Sequence, residues 1–311
     1  MAHRPVPAVP PMSSASASAP ARGGLAVLIA LSLVYVVWGS TYLAIRFALE
    51  GGFPPLLMAG IRFLIAGALM YAVLRLRGMA APTRAQWGYS AVMGVLLLGF
   101  GNGLVCIAEQ TVSSGLAAVA IASVPLWIGL FSAMRGERPS RIEWIGLLIG
   151  FAGVLWLNAG SAAMTASMVG MLALIVASVS WSWGSVWSRG KPLAPPFMNA
   201  AMQMLCGGAA LLPTALLSGE RFVALPTPAG IASVAYLVVF GSIIAFSAYV
   251  WLLPRVRPAL MGSYAYVNPV IAVGLGIALA GEHVDAHELG AMAVILLGVV
   301  VISLARLGRG K

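Results

Sequence analysis

The sequence predicts an all-α, polytopic membrane protein of ten transmembrane helices, arranged as two inverted five-helix repeats. Three observations predict it. Hydrophobic residues make up 61% of the 311 residues and charged residues only 8%, where a soluble domain carries about a quarter charged. Ten stretches are each long and apolar enough to cross a bilayer, which takes roughly 20 residues of helix. The last five echo the first five: Trp38-Gly39-Ser40 returns as Trp183-Gly184-Ser185, and Gly136-Glu137 with Glu143 returns as Gly281-Glu282 with Glu288, both 145 residues on. Because five is odd, the second copy must enter the membrane from the opposite face, as in many secondary transporters.

Residues 1–22, rich in Pro, Ala and Ser, lack the bulk to fold and are expected to form a disordered cytoplasmic tail. Their small-residue run, Ser13 to Ala19, precedes the first apolar stretch instead of following it, which speaks against a cleaved signal peptide. The first repeat, 23–160, holds spans near 24–45, 55–76, 86–108, 115–134 and 142–159. The second, 161–308, holds spans near 167–188, 197–218, 229–253, 259–280 and 287–306.

Six of these spans carry polar or aromatic stripes at helical spacing. Span 1 offers Tyr35, Trp38 and Tyr42; span 3, Asn102, Cys106 and Glu109; span 4, Ser123 and Trp127. From the second half come Ser180, Trp183 and Trp187 on span 6, Ser242, Phe246 and Tyr249 on span 8, and Tyr264 and Asn268 on span 9. Lipid cannot satisfy such groups, so each stripe should face inward. One stripe alone reads as helix-packing glue; six converging from both halves read as an amphipathic pocket. The candidate substrate-binding set is therefore Trp38, Tyr42, Asn102, Ser123, Trp183, Trp187, Ser242, Tyr264 and Asn268. Gly39 and Gly184, beside two of these tryptophans, read as close-packing positions.

Pro125 and Pro269 fall inside the fourth span of each repeat, where each is expected to kink the helix and free the carbonyl four residues earlier, that of Ile121 or Ala265. Such irregularity is tolerated at membrane depth where protein packs it or a watery cavity lies beside it. Span 5 opens on a capping box, Ser140 with Glu143, and span 10 on the matching Asp285 with Glu288. This duplication reads Glu282, His283, Asp285, His287 and Glu288 as a helix start with no metal bound, although two His four apart among carboxylates resemble a zinc set.

Charge fixes the sidedness. Fifteen of the 18 basic residues fall on one side of the predicted spans, and only Arg46 and Arg221 on the other, with Arg62 inside span 2. The positive-inside rule then places both termini in the cytoplasm. Scattered between apolar segments, the net charge of +10 marks topology and not a nucleic-acid face. Arg62 lies roughly 10 Å deep at 1.5 Å per residue, where a charge needs a partner or water. Arg46, Glu50, Arg62 and Glu109 are expected to form an outer charge network that fixes helix ends, gates the path or couples it to protons.

No loop is long enough for a soluble catalytic domain, so any chemistry must lie between helices. The histidines, His3, His283 and His287, lie in the tail and loops, which argues against an intramembrane protease. No phosphate-binding glycine loop is present, so ATP hydrolysis is not expected. Cys106 and Cys206 lie in apolar segments without metal or redox spacing. No cofactor is expected. A small-molecule carrier in the bilayer is the first reading, a non-transporting membrane sensor or scaffold the second; facilitated diffusion and proton antiport both fit, and oligomeric state is not legible.

Certain stretches are more specific. Trp38 to Tyr42, Pro54-Pro55-Leu56 through Gly60 to Phe63, Gly101-Asn102-Gly103 with Glu109, Val124-Pro125, Gly241 to Ala245 and Ser263 to Pro269 together resemble the EamA family of the drug/metabolite transporter superfamily, most closely its YedA-like members. The similarity runs from about Ala26 to Leu304. It implies ten helices in two inverted repeats, a central cavity lined mainly by spans 1, 3, 4, 6, 8 and 9, and efflux of small organic solutes across the bacterial inner membrane. Carriers of phosphorylated solutes in that superfamily need basic residues in the cavity. The second half here has none well inside a span, so amino acids or drug-like amphipathic solutes are the expected cargo.

Overall fold

The computed structural model describes residues 20–112, 117, 120–159, 167–280 and 286–305, and every element among them is a helix. In chain order these are α1 (Pro20–Glu50), α2 (Pro55–Leu76), α3 (Arg84–Ala108), α4 (Val124–Met134), α5 (Arg141–Asn158), α6 (Met168–Trp187), α7 (Pro196–Leu217), α8 (Pro228–Leu252), α9 (Pro258–Gly262), α10 (Tyr264–Ala280) and α11 (Ala286–Leu304). Seven of the described helices are long and apolar enough to span a membrane: α1, α2, α3, α6, α7, α8 and α11. The fourth expected span is reduced to the 11 residues of α4, the fifth is the 18-residue α5, and the ninth is divided between α9 and α10. Residues 20–22 of the expected tail form the first turn of α1, and the rest of that tail lies outside the described residues.

Helices of opposite repeats pack against one another because small residues let their backbones approach. A methyl built on Gly208 of α7 would lie 2.9 Å from the Leu64 nitrogen of α2, and one on Gly298 of α11 would lie 2.5 Å from the Gly150 nitrogen of α5. Bulk at either place would push the helices apart. Gly39 is likewise pressed against Ile271 of α10, and Gly184 against Leu97 of α3, each across the repeat boundary. On the outside, Leu148, Leu172 and Leu217 are among many large apolar side chains left exposed. An apolar surface of that extent is suited to acyl chains and not to water.

Two interruptions shape the centre. Ala122 and Ser123 form a turn ahead of α4, which leaves Pro125 in that helix's first turn, where its missing N–H is harmless. The expected mid-helix kink is therefore a break, and two carbonyls beside it accept from serines of the neighbouring helix. Ser178 of α6 donates to the Ala120 oxygen at 3.0 Å, and Ser182 to that of Val124 at 3.2 Å. On the other side Ser263 separates α9 from α10, while Pro269 stays inside α10. The breaks meet: a methyl on Gly262 would lie 2.9 Å from the Pro125 Cα.

Two ten-residue π-helical segments, Gly94–Gly103 within α3 and Leu237–Phe246 within α8, were not expected. Each is clamped by the first helix of the other repeat. Trp38 Nε1 donates to the Gly241 oxygen at 3.1 Å, and Ser180 Oγ to that of Leu96 at 2.9 Å. Leu96 and Gly241 are 145 residues apart, the interval of the sequence repeat.

The Ser140–Glu143 capping box forms as expected: Ser140 N donates to Glu143 Oε2 at 2.6 Å, and Glu143 N to Ser140 Oγ at 3.2 Å. Its proposed partner at the start of α11 involves Asp285, which lies outside the described residues, as do Glu282 and His283. His287 is described, with its ring edge-on to Trp156 at 5.9 Å.

Candidate functional site

Between the repeats lies a cavity with about 90 Å³ for the centres of water-sized molecules. That is several times the roughly 10–15 Å³ needed to admit one water. Its walls come from both repeats. α1 supplies Trp38, Thr41, Tyr42 and Ile45; α2, Arg62 and Phe63; and α3, Leu98, Gly101, Asn102 and Val105. From the other repeat come Ser178 and Trp181 of α6, Gly241 and Phe246 of α8, and Tyr264 and Asn268 of α10. Both π segments contribute, and their wider turns present Gly101, Asn102 and Gly241 to the space.

An aromatic cluster forms the inner wall. Trp38 meets Trp181 and Tyr264 edge-on at 5.5 and 4.9 Å, and Tyr249 lies behind them, 5.1 Å from Trp38. Tyr249 is held by hydrogen bonds from Trp181 Nε1 at 2.9 Å and with Ser185 at 2.7 Å. The rings are thereby fixed before any solute arrives, which lowers the ordering cost of binding.

Polar groups punctuate this wall. The buried Oδ1 of Asn268 has no partner. Asn102 Oδ1 faces the Cys106 thiol at 3.8 Å, a long contact to sulfur. Arg62 is only 4% exposed; its Nε donates to Ser242 Oγ at 2.8 Å, and its guanidinium carbon lies 4.6 Å from the centre of the Phe63 ring. Its Nη1 is buried without a hydrogen-bond partner.

Of the nine expected substrate residues, Trp38, Tyr42, Asn102, Tyr264 and Asn268 line the cavity, and Ser242 stands behind it as the anchor of Arg62. Three do not reach it. Ser123 turns back onto the Ala120 carbonyl of its own chain. Trp183 is 38% exposed and packs edge-on against Phe131, and Trp187 packs against Tyr89 beneath Lys191. Trp181 takes the place expected of Trp183. The signal was the serine spacing: Ser178, Trp181 and Ser185 share one helix face, and a residue two positions on points about 200° away.

The expected four-member charge network does not form as one. Arg46 pairs with Glu50 at 2.7 Å, both largely exposed. Among the described residues no ion pair joins Arg62 to Glu50 or Glu109. Glu109, one residue past the end of α3, is partly covered, and burial raises its carboxyl above the ordinary carboxylate range. Among the described residues no group of three or more His, Cys, Asp or Glu could hold a metal ion.

The opposite end carries charged contacts that sequence reading missed, each joining one repeat to the other. Arg189 pairs with Glu137 at 3.0 Å, Arg257 grips both oxygens of Glu143, and Arg135 donates to the Trp187 carbonyl at 3.2 Å. Arg189 also donates to the Leu253 and Val256 carbonyls.

Comparison with known proteins agrees with this architecture. The model of the EamA-like transporter family matches twice, over residues 25–159 and 168–304. The chain belongs to that family. The inner membrane transporter YedA of Escherichia coli strain K12 is 44% identical over 278 residues, covering 89% of this chain and 90% of that one. A probable amino-acid metabolite efflux pump of Salmonella typhimurium is 25% identical, over 86% of this chain and 92% of its own. One crystal structure matches with a TM-score of 0.78 at 26% identity, covering 92% of this chain and 99% of the other. The EamA repeat limits coincide with the two halves whose helices interleave around the cavity.

Proposed function

We propose that the protein exports small organic metabolites, amino acids or drug-like amphipathic solutes, across the bacterial cytoplasmic membrane by alternating access. In this reading ten helices span the bilayer and both termini are cytoplasmic. Trp38, Tyr42, Asn102, Tyr264 and Asn268 hold the solute, joined by Trp181. One observation carries the proposal: a cavity walled by both repeats, with ion pairs toward one end that each tie one repeat to the other. Breaking those ties while closing the other end would expose the same cavity to the second face, as a carrier built from two opposed halves requires. The basic residues at the ion-paired end support its assignment to the cytoplasm, so the cavity faces outward. The efflux role printed for the Salmonella relative supports the direction and an amino-acid class of cargo.

Counterflow tests it. Purified protein in sealed vesicles preloaded with unlabelled amino acids is expected to accumulate the labelled counterpart transiently. Solute binding without any such exchange would instead favour a membrane sensor. Repeating the assay with an imposed pH gradient separates antiport from facilitated diffusion.

A further inference from the structure

Arg62 is the one charged side chain among the described residues that line the cavity. Charged groups at membrane depth pair with one another, with backbone carbonyls or with water, and the acids found in ion pairs among the described residues are engaged elsewhere. Glu50 pairs with Arg46, Glu137 with Arg189 and Glu143 with Arg257. Glu220 accepts the amides of Leu56 and Leu57 at the start of α2, at 3.1 and 2.9 Å. Glu109, a full turn beyond the last cavity residue of α3, forms no ion pair with Arg62. The arginine is therefore held by the neutral hydroxyl of Ser242 and the ring of Phe63, with its Nη1 unpartnered. Gly241 keeps the space beside it open, since a methyl there would lie 3.4 Å from Nη2.

A second residue of the cavity wall, Asn268, also carries an unpartnered group. Asn268 Oδ1 is a buried acceptor with nothing donating to it. An unmatched cationic donor and an unmatched acceptor, separated by rings, describe the complement of a solute with an acidic end, a donating end and an apolar body. A solute that is only cationic meets a like charge in a space with little water, where that repulsion is weakly screened. Resting on the transport reading above, we infer that the cavity selects solutes bearing a carboxylate, seated on the free Nη1 of Arg62, with the solute's own N–H donor on Asn268 Oδ1.

Equilibrium binding to the purified full-length chain tests this without flux. The probes are labelled phenylalanine, 3-phenylpropionate, which keeps only the carboxylate, and phenylalaninamide, which lacks it. Both carboxylate probes are expected to bind, and the amide on the order of ten- to a hundredfold more weakly, the loss of a hydrogen bond to a charged group. Arg62→Gln should bring the acid-to-amide ratio close to one, and Arg62→Lys should keep part of it. If Arg62→Gln does not fold, the ratio in the unaltered protein decides. Equal or tighter binding of the amide, no binding of either acid, or an unchanged ratio in folded Arg62→Gln would overturn the inference. Carboxylate-selective binding without exchange in vesicles would overturn transport and leave this selectivity standing; exchange without carboxylate preference would do the reverse.

Discussion

Glu109 stands one residue beyond α3, and its burial favours the protonated carboxyl. An acid whose folded pKa is raised gives full stability below its unfolded pKa and loses it as pH rises to the folded value, because only the unfolded chain then ionises freely. In detergent, the thermal midpoint should therefore fall as pH rises from the ordinary carboxylate range, and Glu109→Gln should flatten that slope. The same variant tests coupling: transport with an unchanged pH dependence would rule out a gating proton at this position. Trp181 makes a sharper contrast. It lines the cavity, while Trp183, two residues on, packs against Phe131 on the far face. Trp181→Ala should weaken binding of an aromatic amino acid by roughly tenfold, the scale of a lost ring contact, and Trp183→Ala should leave it within about twofold. Both residues come from the same Trp-rich run, so tryptophan content alone cannot tell them apart, whereas the serines at 178 and 185 mark the inward face.

At the scale of the helix, the controlling quantity is how closely backbones approach. On α11 the Gly298 backbone is packed on Gly150 and Gly146 of α5, so Gly298→Ala must separate the two helices, at about 1–3 kcal/mol by the usual penalty for overpacking. Gly274 of α10 has nothing within 4 Å of where a methyl would go, and Gly274→Ala should be neutral or slightly stabilising. Thermal unfolding of the two variants side by side checks this. Helices of this kind are legible in the sequence because lipid demands long apolar runs, and the capping box at Ser140 was legible because its two partners are three residues apart. The π segments and the break at Ser123 were not. Both depend on donors from another helix, Trp38 and Ser180 for one, Ser178 and Ser182 for the other, and a linear pattern carries no record of which helix will stand alongside. Arg62 shows the same limit: its depth was readable, but Ser242, 180 residues away, was not identifiable as its partner.

For the whole molecule, sidedness decides whether the cavity serves export. Basic residues collect at the end where Arg135, Arg189 and Arg257 bind across the repeats, and the cavity lies beyond them, on the α1 residues nearer Glu50 and the α3 residues nearer Glu109. On the proposed topology, positive charge at that end and a solute space at the other correspond to an outward-facing state. Breaking those cross-repeat contacts should then convert it. Glu143 is central to that end, since it caps α5 and binds Arg257 with a carboxylate only 2% exposed. Glu143→Gln removes the charge and weakens both links, so it should raise the fraction facing inward. A cysteine at Asn102, introduced after Cys106 and Cys206 are changed to Ala, reports the shift. With Glu143 intact it should react with an impermeant thiol reagent added from the periplasmic side, and Glu143→Gln should slow that reaction while opening one from the cytoplasmic side. Reaction from the cytoplasmic side alone with Glu143 intact would invert the assignment, and equal reaction from both sides would mean that the charged end is no barrier.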